Sequence, residues 1–166
     1  MKLPDPHRAL HAQDEDVLLA MCIFGEARGE SDAAKLGVAN VVRNRVRLGP
    51  HFGVGWRGVI LKPAAFSCFR HRDPNRRKLL EPLSFEQRPI WETCSRIARE
   101  VYDETAPDNT TGATHYYDDS IAKPRWAHFY QPTVKIGRLN YYRWSAEADR
   151  RAAERNRSGR PVPAVG

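Results

Sequence analysis

The densest apolar run in the chain covers residues 14–24 and predicts a largely buried helix. Asp14 or Asp16 is the expected N-cap, because a short acidic side chain there can accept hydrogen bonds from the free N–H groups of the first turn. The run stops in residues 25–30, where Gly25 and Gly29 lie four positions apart. Glycine favours turns, so we expect the helix to end within this segment.

Two further helices are indicated by apolar residues at helical spacing. One follows Ser31, its expected N-cap, and ends at Gly49. The other is predicted to start at a capping box formed by Ser84 and Gln87. Between them, residues 50–83 are rich in glycine, proline, aromatic residues and arginine, a composition typical of loops that carry function.

The pattern changes after the third helix, where aromatic and β-branched residues lie between turn signals. Residues 113–117 and 128–144 therefore predict a small sheet or hairpin. A polar, charged helix is expected over residues 145–157, followed by a flexible tail. The fold class that these elements indicate is α+β, mainly helical, in a single domain without an internal repeat.

Composition narrows the classes of protein. A chain of 166 residues with 41% hydrophobic content is long enough for one domain with a core. No stretch approaches the roughly 18 consecutive apolar residues of a transmembrane helix, and the start lacks the apolar region of a secretory signal. The net charge of +7 favours polyanionic partners, such as nucleic acid or a bacterial cell wall. We expect no nucleic-acid partner, because RNP, zinc-finger and helix-turn-helix patterns are missing.

The cysteines and histidines give no sign of a metal centre. Cys22, Cys68 and Cys94 are odd in number and lack CxxC spacing, which argues against a disulfide framework or a zinc ribbon. Cys22 and Cys94 fall within apolar helical patterns and are expected to be buried free thiols. None of the six histidines belongs to an HExxH pair. We therefore expect neither a metal nor another cofactor, with a zinc amidase as the enzymatic alternative.

Glu26 is the candidate for acid chemistry, since it comes two residues after Phe24 at the end of the apolar run. An acid that cleaves a glycoside must keep its proton near neutral pH, and an apolar surround favours this. Gly25 is expected to leave room for a substrate backbone. Glu30 would share a helix face with Glu26 if the helix continued, but Gly29 favours a structural role for Glu30. From these residues alone, a structural role for Glu26 also stays open.

Several blocks of sequence occur in a characteristic order. They are Phe24-Gly25-Glu26-Ala27-Arg28-Gly29-Glu30, Val38-Ala39-Asn40-Val41-Val42-Arg43-Asn44-Arg45-Val46, Phe66-Ser67-Cys68-Phe69, Asp73-Pro74-Asn75, Asp108, Gly112-Ala113-Thr114-His115-Tyr116-Tyr117, Pro124-Arg125-Trp126 and Ile136-Gly137. In this order the blocks resemble the cell wall hydrolase family that includes the spore cortex-lytic enzymes. The ordered set is far more specific than any one block.

The resemblance implies a lysozyme-like fold and a lytic transglycosylase type of activity on peptidoglycan, and the family's catalytic glutamate matches Glu26. Such an enzyme cleaves between N-acetylmuramic acid and N-acetylglucosamine with one carboxyl, which acts first as acid and then as base. No second carboxylate is therefore expected. Two alternatives stay open: muramidase-type hydrolysis by the same Glu26, and a non-catalytic basic structural or nucleic-acid-binding phage protein.

Aromatic side chains are expected to form the sugar platform, because flat apolar rings complement pyranose faces. The blocks favour Tyr116, Tyr117 and Trp126 for this role, with simple core packing as the alternative. The further candidates are Ser67 and His115 for substrate binding, and Asn40, Arg43 and Asn44 on the second helix for supporting the site. The polar residues of the second helix could face the side of Glu26 or form an internal network that braces it.

The chain is accordingly divided into an N-terminal arm over residues 1–13, a lysozyme-like catalytic domain over residues 14–144, and a basic C-terminal helix and tail over residues 145–166. A wall-degrading protein without an export signal is expected to be a phage or prophage product. It would be made in the cytoplasm and act in the periplasm or cell wall, delivered by lysis or as a virion component. Its expected partner is peptidoglycan, with other virion or lysis proteins as further candidates.

Overall fold

The computed structural model describes residues 1–85 and 87–159, and these residues form six α-helices and one small sheet. The helices are α1 (Glu15–Ala27), α2 (Asp32–Leu48), α3 (Gly55–Ile60), α4 (Arg76–Leu80), α5 (Arg88–Tyr102) and α6 (Ala146–Ser158). The strands are β1 (His115–Asp118), β2 (Gln131–Ile136) and β3 (Leu139–Arg143), and they form an antiparallel sheet of order β1-β3-β2. The predicted fold class, α+β and mainly helical with a small sheet, is confirmed.

The chain divides into two compact units, of which the first is Met1–Asn109 and the second starts at Thr110. The first unit holds α1 to α5, and the second holds the sheet and α6. The boundaries expected for an arm, a catalytic domain and a basic tail stay predictions, and residues 160–166 of that tail lie outside the described residues. No helix within the described ranges is long and apolar enough to cross a membrane.

Residues 1–13, predicted as an arm, belong to the first unit and are attached to it by a few hydrogen bonds. The Trp91 indole N–H donates a hydrogen bond to the Lys2 carbonyl at 3.1 Å. Gln13 is buried, and its side chain bonds to the backbone of Asp5 and Arg8. These contacts hold the start of the chain against α5 and close to the first turn of α1.

The centre of the first unit is α1, in which every residue from Val17 to Phe24 is buried. A helix that is apolar on all sides has no face suited to water, so neighbouring elements must cover it all round. Helices α2 and α5 pack against it, and the ring of Trp91 on α5 meets that of Phe24 edge to face at 5.8 Å. The prediction of a largely buried first helix is confirmed.

Two of the three predicted helix starts are confirmed. Asp14 is the N-cap of α1, and the Ser31 hydroxyl caps α2 by accepting a hydrogen bond from the N–H three residues later at 3.2 Å. The capping box predicted at Ser84 and Gln87 is wrong, because Ser84 lies in a short 3-10 turn and α5 begins only after Gln87. Pro89 fits the first turn of α5, where its missing N–H costs no hydrogen bond.

The helix end predicted within residues 25–30 is confirmed, because α1 ends at Ala27 and thus continues through Gly25. A Cβ atom on Gly25 would lie 2.6 Å from the Cβ atom of Cys68 and 2.7 Å from its Sγ atom, which is too close for any real side chain. The missing side chain therefore lets the short 3-10 turn Ser67–Phe69 pack directly on the helix. The space expected to admit a substrate backbone at Gly25 is filled by Cys68.

The sheet of the second unit is built around β3, whose residues Tyr141 and Tyr142 are buried. In the pairing of β1 with β3, His115 lies opposite Tyr142 and Tyr116 lies opposite Tyr141. Successive residues of a strand point to opposite faces, so these two pairs lie on different sides of the sheet. The strands predicted within residues 113–117 and 128–144 are confirmed.

Helix α6 is tied to the rest of the second unit by Asp149. The Tyr130 hydroxyl donates a hydrogen bond to Asp149 Oδ1 and the Trp144 indole N–H donates one to Oδ2, both at 2.6 Å. The Ser145 hydroxyl caps the helix. The polar helix predicted over residues 145–157 is confirmed, and a single carboxylate anchors it beside two aromatic side chains.

Gly25→Ala is expected to lower the free energy of unfolding by about 1–3 kcal/mol, because the new methyl group overlaps the Cys68 side chain close to its backbone. The control is Gly29→Ala. A Cβ atom there meets nothing within 4 Å, and the backbone of Gly29 is outside the left-handed region, so this change should be neutral or slightly stabilising. Chemical denaturation of both variants measures the difference, and equal stabilities would contradict the packing of Cys68 on Gly25.

Asp149→Ala is expected to destabilise the second unit by about 2 kcal/mol or more, because two hydrogen bonds to a charged acceptor are lost. The matched control is Asp119→Ala, which removes a solvent-exposed ion pair with Lys135 and should change stability little. Thermal unfolding followed by tryptophan fluorescence compares the two. A midpoint for Asp149→Ala equal to that of the control would show that Asp149 does not anchor α6.

Candidate active site

Glu26 lies in the last turn of α1, where the buried helix comes to its end. Its side chain is half-buried, whereas Phe24 and Ala27 beside it on the helix are buried. After burial, the charge of Glu26 and a hydrogen bond with its side chain are the next causes that raise the pKa of the Cys68 thiol, and the charge of Glu26 also raises the pKa of Cys22, one turn earlier on α1. The structure thus places the candidate acid at the end of the buried helix, beside two buried thiols.

The two thiols beside Glu26 are held in their protonated form. Burial is the largest cause that raises the pKa of Cys22 and of Cys68, and the negative charge of Glu26 acts in the same direction on both. Cys22, Cys68 and Cys94 are all buried free thiols, as predicted for Cys22 and Cys94. Among residues 1–85 and 87–159, no group of three or more His, Cys, Asp or Glu side chains is arranged to hold a metal ion.

Arg28 connects the end of α1 to the loop that carries Cys68. Its guanidinium donates a hydrogen bond to Asn75 Oδ1 at 2.8 Å and lies 5.8 Å from the centre of the Phe24 ring. The backbone N–H of Asn75 in turn bonds to Asp73 Oδ1 at 2.8 Å. These contacts attach the loop to the end of α1 at Arg28, two residues after Glu26.

Arg45 brings a positive charge from α2 to the same region. Its guanidinium lies over the rings of Phe52 and Phe66, 5.4 and 5.2 Å from their centres. Its charge also lowers the pKa of Cys22, against the larger effect of burial. The loop before Cys68 is therefore held on α2 by cation–π contacts.

The polar residues predicted to support the site, Asn40, Arg43 and Asn44, are buried on α2 and bind the segment of residues 106–109. The bonds are Asn40 Nδ2 to the Pro107 carbonyl at 3.0 Å and to Asn109 Oδ1 at 3.1 Å, Arg43 to the Ala106 carbonyl at 2.8 Å, and Asn44 Nδ2 to Asp108 Oδ2 at 3.0 Å. Asp108, one of the sequence blocks, is thus a partner of Asn44. A role of this network in bracing Glu26 stays a prediction.

In the second unit, five rings form an aromatic cluster that consists of His115, Tyr117, Trp126, Tyr130 and Tyr142. Ring centres of His115 and Trp126 are 5.0 Å apart, and those of Trp126 and Tyr142 are 5.4 Å apart. Tyr117 stacks on Tyr142 at 5.9 Å. Burial, followed by a hydrogen bond with Tyr117, raises the pKa of Tyr142 to about 12. Trp126 therefore contacts both His115 and Tyr117, which brings three of the predicted substrate-binding residues together.

The remaining two predicted substrate-binding residues lie elsewhere. Tyr116 points to the other face of the sheet from Tyr117, and its ring lies 5.8 Å from that of buried Tyr141. Ser67 belongs to the first unit and is exposed, and its carbonyl accepts the N–H of Arg70 at 3.0 Å in a turn. The alternation that separates Tyr116 from Tyr117 is the one expected of adjacent strand residues.

Sequence reasoning missed five residues of these two clusters. They are Arg28, Arg45 and Cys68 beside Glu26, and Tyr130 and Tyr142 beside Trp126. The first three lie inside the sequence blocks, which was a usable signal. Nothing in the local pattern marked Tyr130, because its place in the cluster depends on how the turn Arg125–His128 packs against the strands.

Two surface depressions of about 440 and 480 Å³ lie in the first unit, and Glu26 lines neither. Both are lined by Lys2 and Arg99. Lys2 pairs with Asp14 and Asp16 at 3.3 and 3.0 Å, and Arg99 pairs with Asp16 at 3.2 Å. The charged groups there neutralise one another, so we place the candidate site at Glu26.

The family described as Cell Wall Hydrolase matches residues 29–142, which is more than half of the chain. The match begins just after Glu26. A spore cortex-lytic enzyme of Halalkalibacterium halodurans is 28% identical over 128 residues, covering 75% of this chain and 34% of that enzyme. The chain therefore spans about a third of the length of this relative.

Two solved structures share the fold. The catalytic domain of the Bacillus cereus SleB protein matches with a TM-score of 0.57 and 25% identity over 78% of this chain and 90% of that chain. The catalytic domain of the germination-specific lytic transglycosylase SleB from Bacillus anthracis matches with a TM-score of 0.58 and 22% identity, over 82% and 98%. The resemblance inferred from the ordered blocks is confirmed, and the chain belongs to the cell wall hydrolase family.

Proposed function

We propose that the chain cleaves the glycan strands of peptidoglycan between N-acetylmuramic acid and N-acetylglucosamine, with Glu26 as the acid. The observation that carries the proposal is the half-buried Glu26 at the end of an otherwise buried helix, in a member of the cell wall hydrolase family. An apolar surround favours a carboxyl that keeps its proton until the leaving oxygen takes it. The related lytic transglycosylase from Bacillus anthracis supports this reaction class.

Lytic transglycosylation needs a single carboxyl. Glu26 first protonates the glycosidic oxygen between the two sugars. The resulting carboxylate then takes the proton from the C6 hydroxyl of N-acetylmuramic acid, and that oxygen attacks the anomeric carbon to give a 1,6-anhydro end. Since no water is activated, the second carboxylate of an ordinary glycosidase is not required.

Glu30 fits a structural role better than a second catalytic role. It follows the end of α1, where its backbone N–H bonds to the Ala27 carbonyl at 3.0 Å. The Lys35 ammonium donates a hydrogen bond to the Glu30 carbonyl. The backbone of Glu30 is thus engaged in joining α1 to α2, and because α1 ends at Ala27, Glu30 does not continue the helix face of Glu26.

The aromatic cluster is proposed as the sugar platform. His115, Tyr117 and Trp126 present half-buried rings, which combine an apolar face for a pyranose ring with polar edges for its hydroxyl groups. Tyr116, which packs on Tyr141, fits core packing better. Ser67, exposed beside Cys68, stays a candidate for a hydrogen bond to the substrate.

The charge of the chain agrees with this substrate. A net charge of +7 favours attraction to the peptide-stem carboxylates of a cell wall. Action in the periplasm or cell wall, a phage or prophage origin, and delivery by lysis or in a virion stay predictions from the sequence.

Glu26→Gln is expected to lower the release of soluble fragments from purified peptidoglycan by about 100-fold or more, because the proton donor is removed while the side-chain shape is kept. The control is Glu30→Gln, which should stay close to wild type. Products are separated and identified by mass, and fragments ending in 1,6-anhydro-N-acetylmuramic acid are expected.

The other outcomes of this experiment distinguish the alternative functions. Reducing ends without anhydro ends would assign muramidase-type hydrolysis to Glu26. Full activity of Glu26→Gln would exclude Glu26 as the acid, and loss of wild-type activity in EDTA would point to a metal enzyme. No release by the wild type, together with salt-dependent duplex binding, would favour a non-catalytic basic protein.

Trp126→Ala is expected to weaken sedimentation with insoluble peptidoglycan by about tenfold, because the largest ring of the platform is removed. The matched control is Trp56→Ala, which deletes the same side chain from the first unit, where it packs on Tyr102 at 5.3 Å. Binding is compared at fixed ionic strength. Equal binding by Trp126→Ala and wild type would rule out the platform.

A further inference from the structure

The side chain of Cys68 packs closely against α1 at Gly25, the residue before Glu26. Its Sγ atom lies 2.7 Å from where a Cβ atom on Gly25 would be, so it sits against the helix at the residue that precedes Glu26. Cys68 is 3% exposed, and after burial the charge of Glu26 and a hydrogen bond with its side chain raise the pKa of the thiol. The thiol, which can donate a hydrogen bond, thus approaches this end of α1 from a separate loop.

The fold holds this thiol in place from several sides. Leu79 on α4 also approaches Gly25, at 3.1 Å from its missing Cβ position, and so closes the space around the thiol. The bond from Arg28 to Asn75 ties the same loop to the helix end. Because the Cys68 side chain is confined by packing, its direction toward Glu26 is set by the fold and not by chance rotation.

The charges that face Cys68 keep its proton in place. Burial raises the pKa of its thiol well above the ordinary range, and the charges of Glu26 on α1 and of Asp73 on the loop add to this effect. From α2, the positive charge of Arg45 acts on the neighbouring Cys22. A thiol that stays protonated across the working pH range is always available as a hydrogen-bond donor.

A donor at this position has a chemical use. A carboxylate at the C-terminal end of a helix is opposed by the helix dipole, and Glu26 becomes a carboxylate when it gives up its proton. A hydrogen bond to a carboxylate stabilises that ionised form. Aimed at the place where charge develops, such a donor lowers the barrier more than it affects substrate binding.

We propose that Cys68 is a positioning residue for the reaction, whose thiol donates a hydrogen bond that orients the Glu26 carboxyl and stabilises the negative charge it acquires on protonating the leaving oxygen. The inference rests on the proposed function of Glu26. Gly25 belongs to the same device, because only a residue without a side chain admits the thiol to this place.

The test compares three substitutions in the full chain: Cys68→Ala, which deletes the donor, Cys68→Ser, which keeps one, and Cys94→Ala as the control. Cys94 is a second buried free thiol of the first unit, on α5, and its charged neighbours are Lys35 and Asp32. For each variant, kcat, KM and the pH profile are measured on solubilised glycan strands, and folding is checked by thermal unfolding.

For Cys68→Ala we expect kcat to fall by about tenfold with KM nearly unchanged, which corresponds to the loss of one hydrogen bond to a charged group. The basic limb of the pH profile should move to higher pH, because a carboxyl without this donor ionises less readily. Cys68→Ser should keep kcat within about threefold of wild type, without a shift of the basic limb to higher pH. Cys94→Ala should change neither quantity.

An unchanged kcat and basic limb in Cys68→Ala would overturn the proposal, and so would an equal loss in Cys68→Ala and Cys94→Ala. If Cys68→Ala does not fold, Cys68→Ser decides alone, since a tenfold loss or an upward shift of the basic limb in that variant contradicts a role as donor. Glu26→Gln separates the two levels of inference. If it stays active, the function proposed for Glu26 fails, whereas an inactive Glu26→Gln beside an unaffected Cys68→Ala rejects only the role of Cys68.

Discussion

The burial of α1 on every side is the constraint on which the first unit depends. Eight consecutive residues from Val17 to Phe24 are buried, so the helix lacks a face that could lie against water. Helices α2 and α5 cover its sides, and the loop that carries Cys68 covers its end. A carboxyl in the last turn of such a helix is held partly out of water by the core itself, and Glu26 stands at that position.

The same core places polar groups where they must find partners within the protein. On α2, Asn40, Arg43 and Asn44 are buried, and each bonds to the segment of residues 106–109. Leaving such groups without partners would cost free energy, so the segment is fixed in one conformation. The loop near Glu26 is also held by contacts with both helices. Arg28, at the end of α1, bonds to Asn75, and Arg45 on α2 lies over the ring of Phe66.

In the second unit, strand alternation separates two roles for neighbouring tyrosines. Tyr116 packs on buried Tyr141, and Tyr117 joins the aromatic cluster on the other face. The cluster also includes Tyr130, whose hydroxyl is bound by Asp149 of α6. The C-terminal helix therefore contributes to the orientation of a ring in the proposed sugar platform, although it begins beyond the residues that match the family.

The sequence by itself determined helices α1, α2, α5 and α6, the small sheet, the burial of Cys22 and Cys94, and the family, because these follow from local periodicity and ordered blocks. It marked Glu26 through the block that contains it. Only the tertiary structure explained why position 25 is a glycine, since the place of its side chain is taken by Cys68, which is 43 positions away in the chain. Pattern and propensity describe neighbours along the chain, whereas the thiol beside Glu26 and the ring of Tyr130 beside Trp126 are neighbours only in space. Glu26 at the end of the first helix was therefore a prediction of the sequence, and the thiol that packs beside it was visible only in the fold.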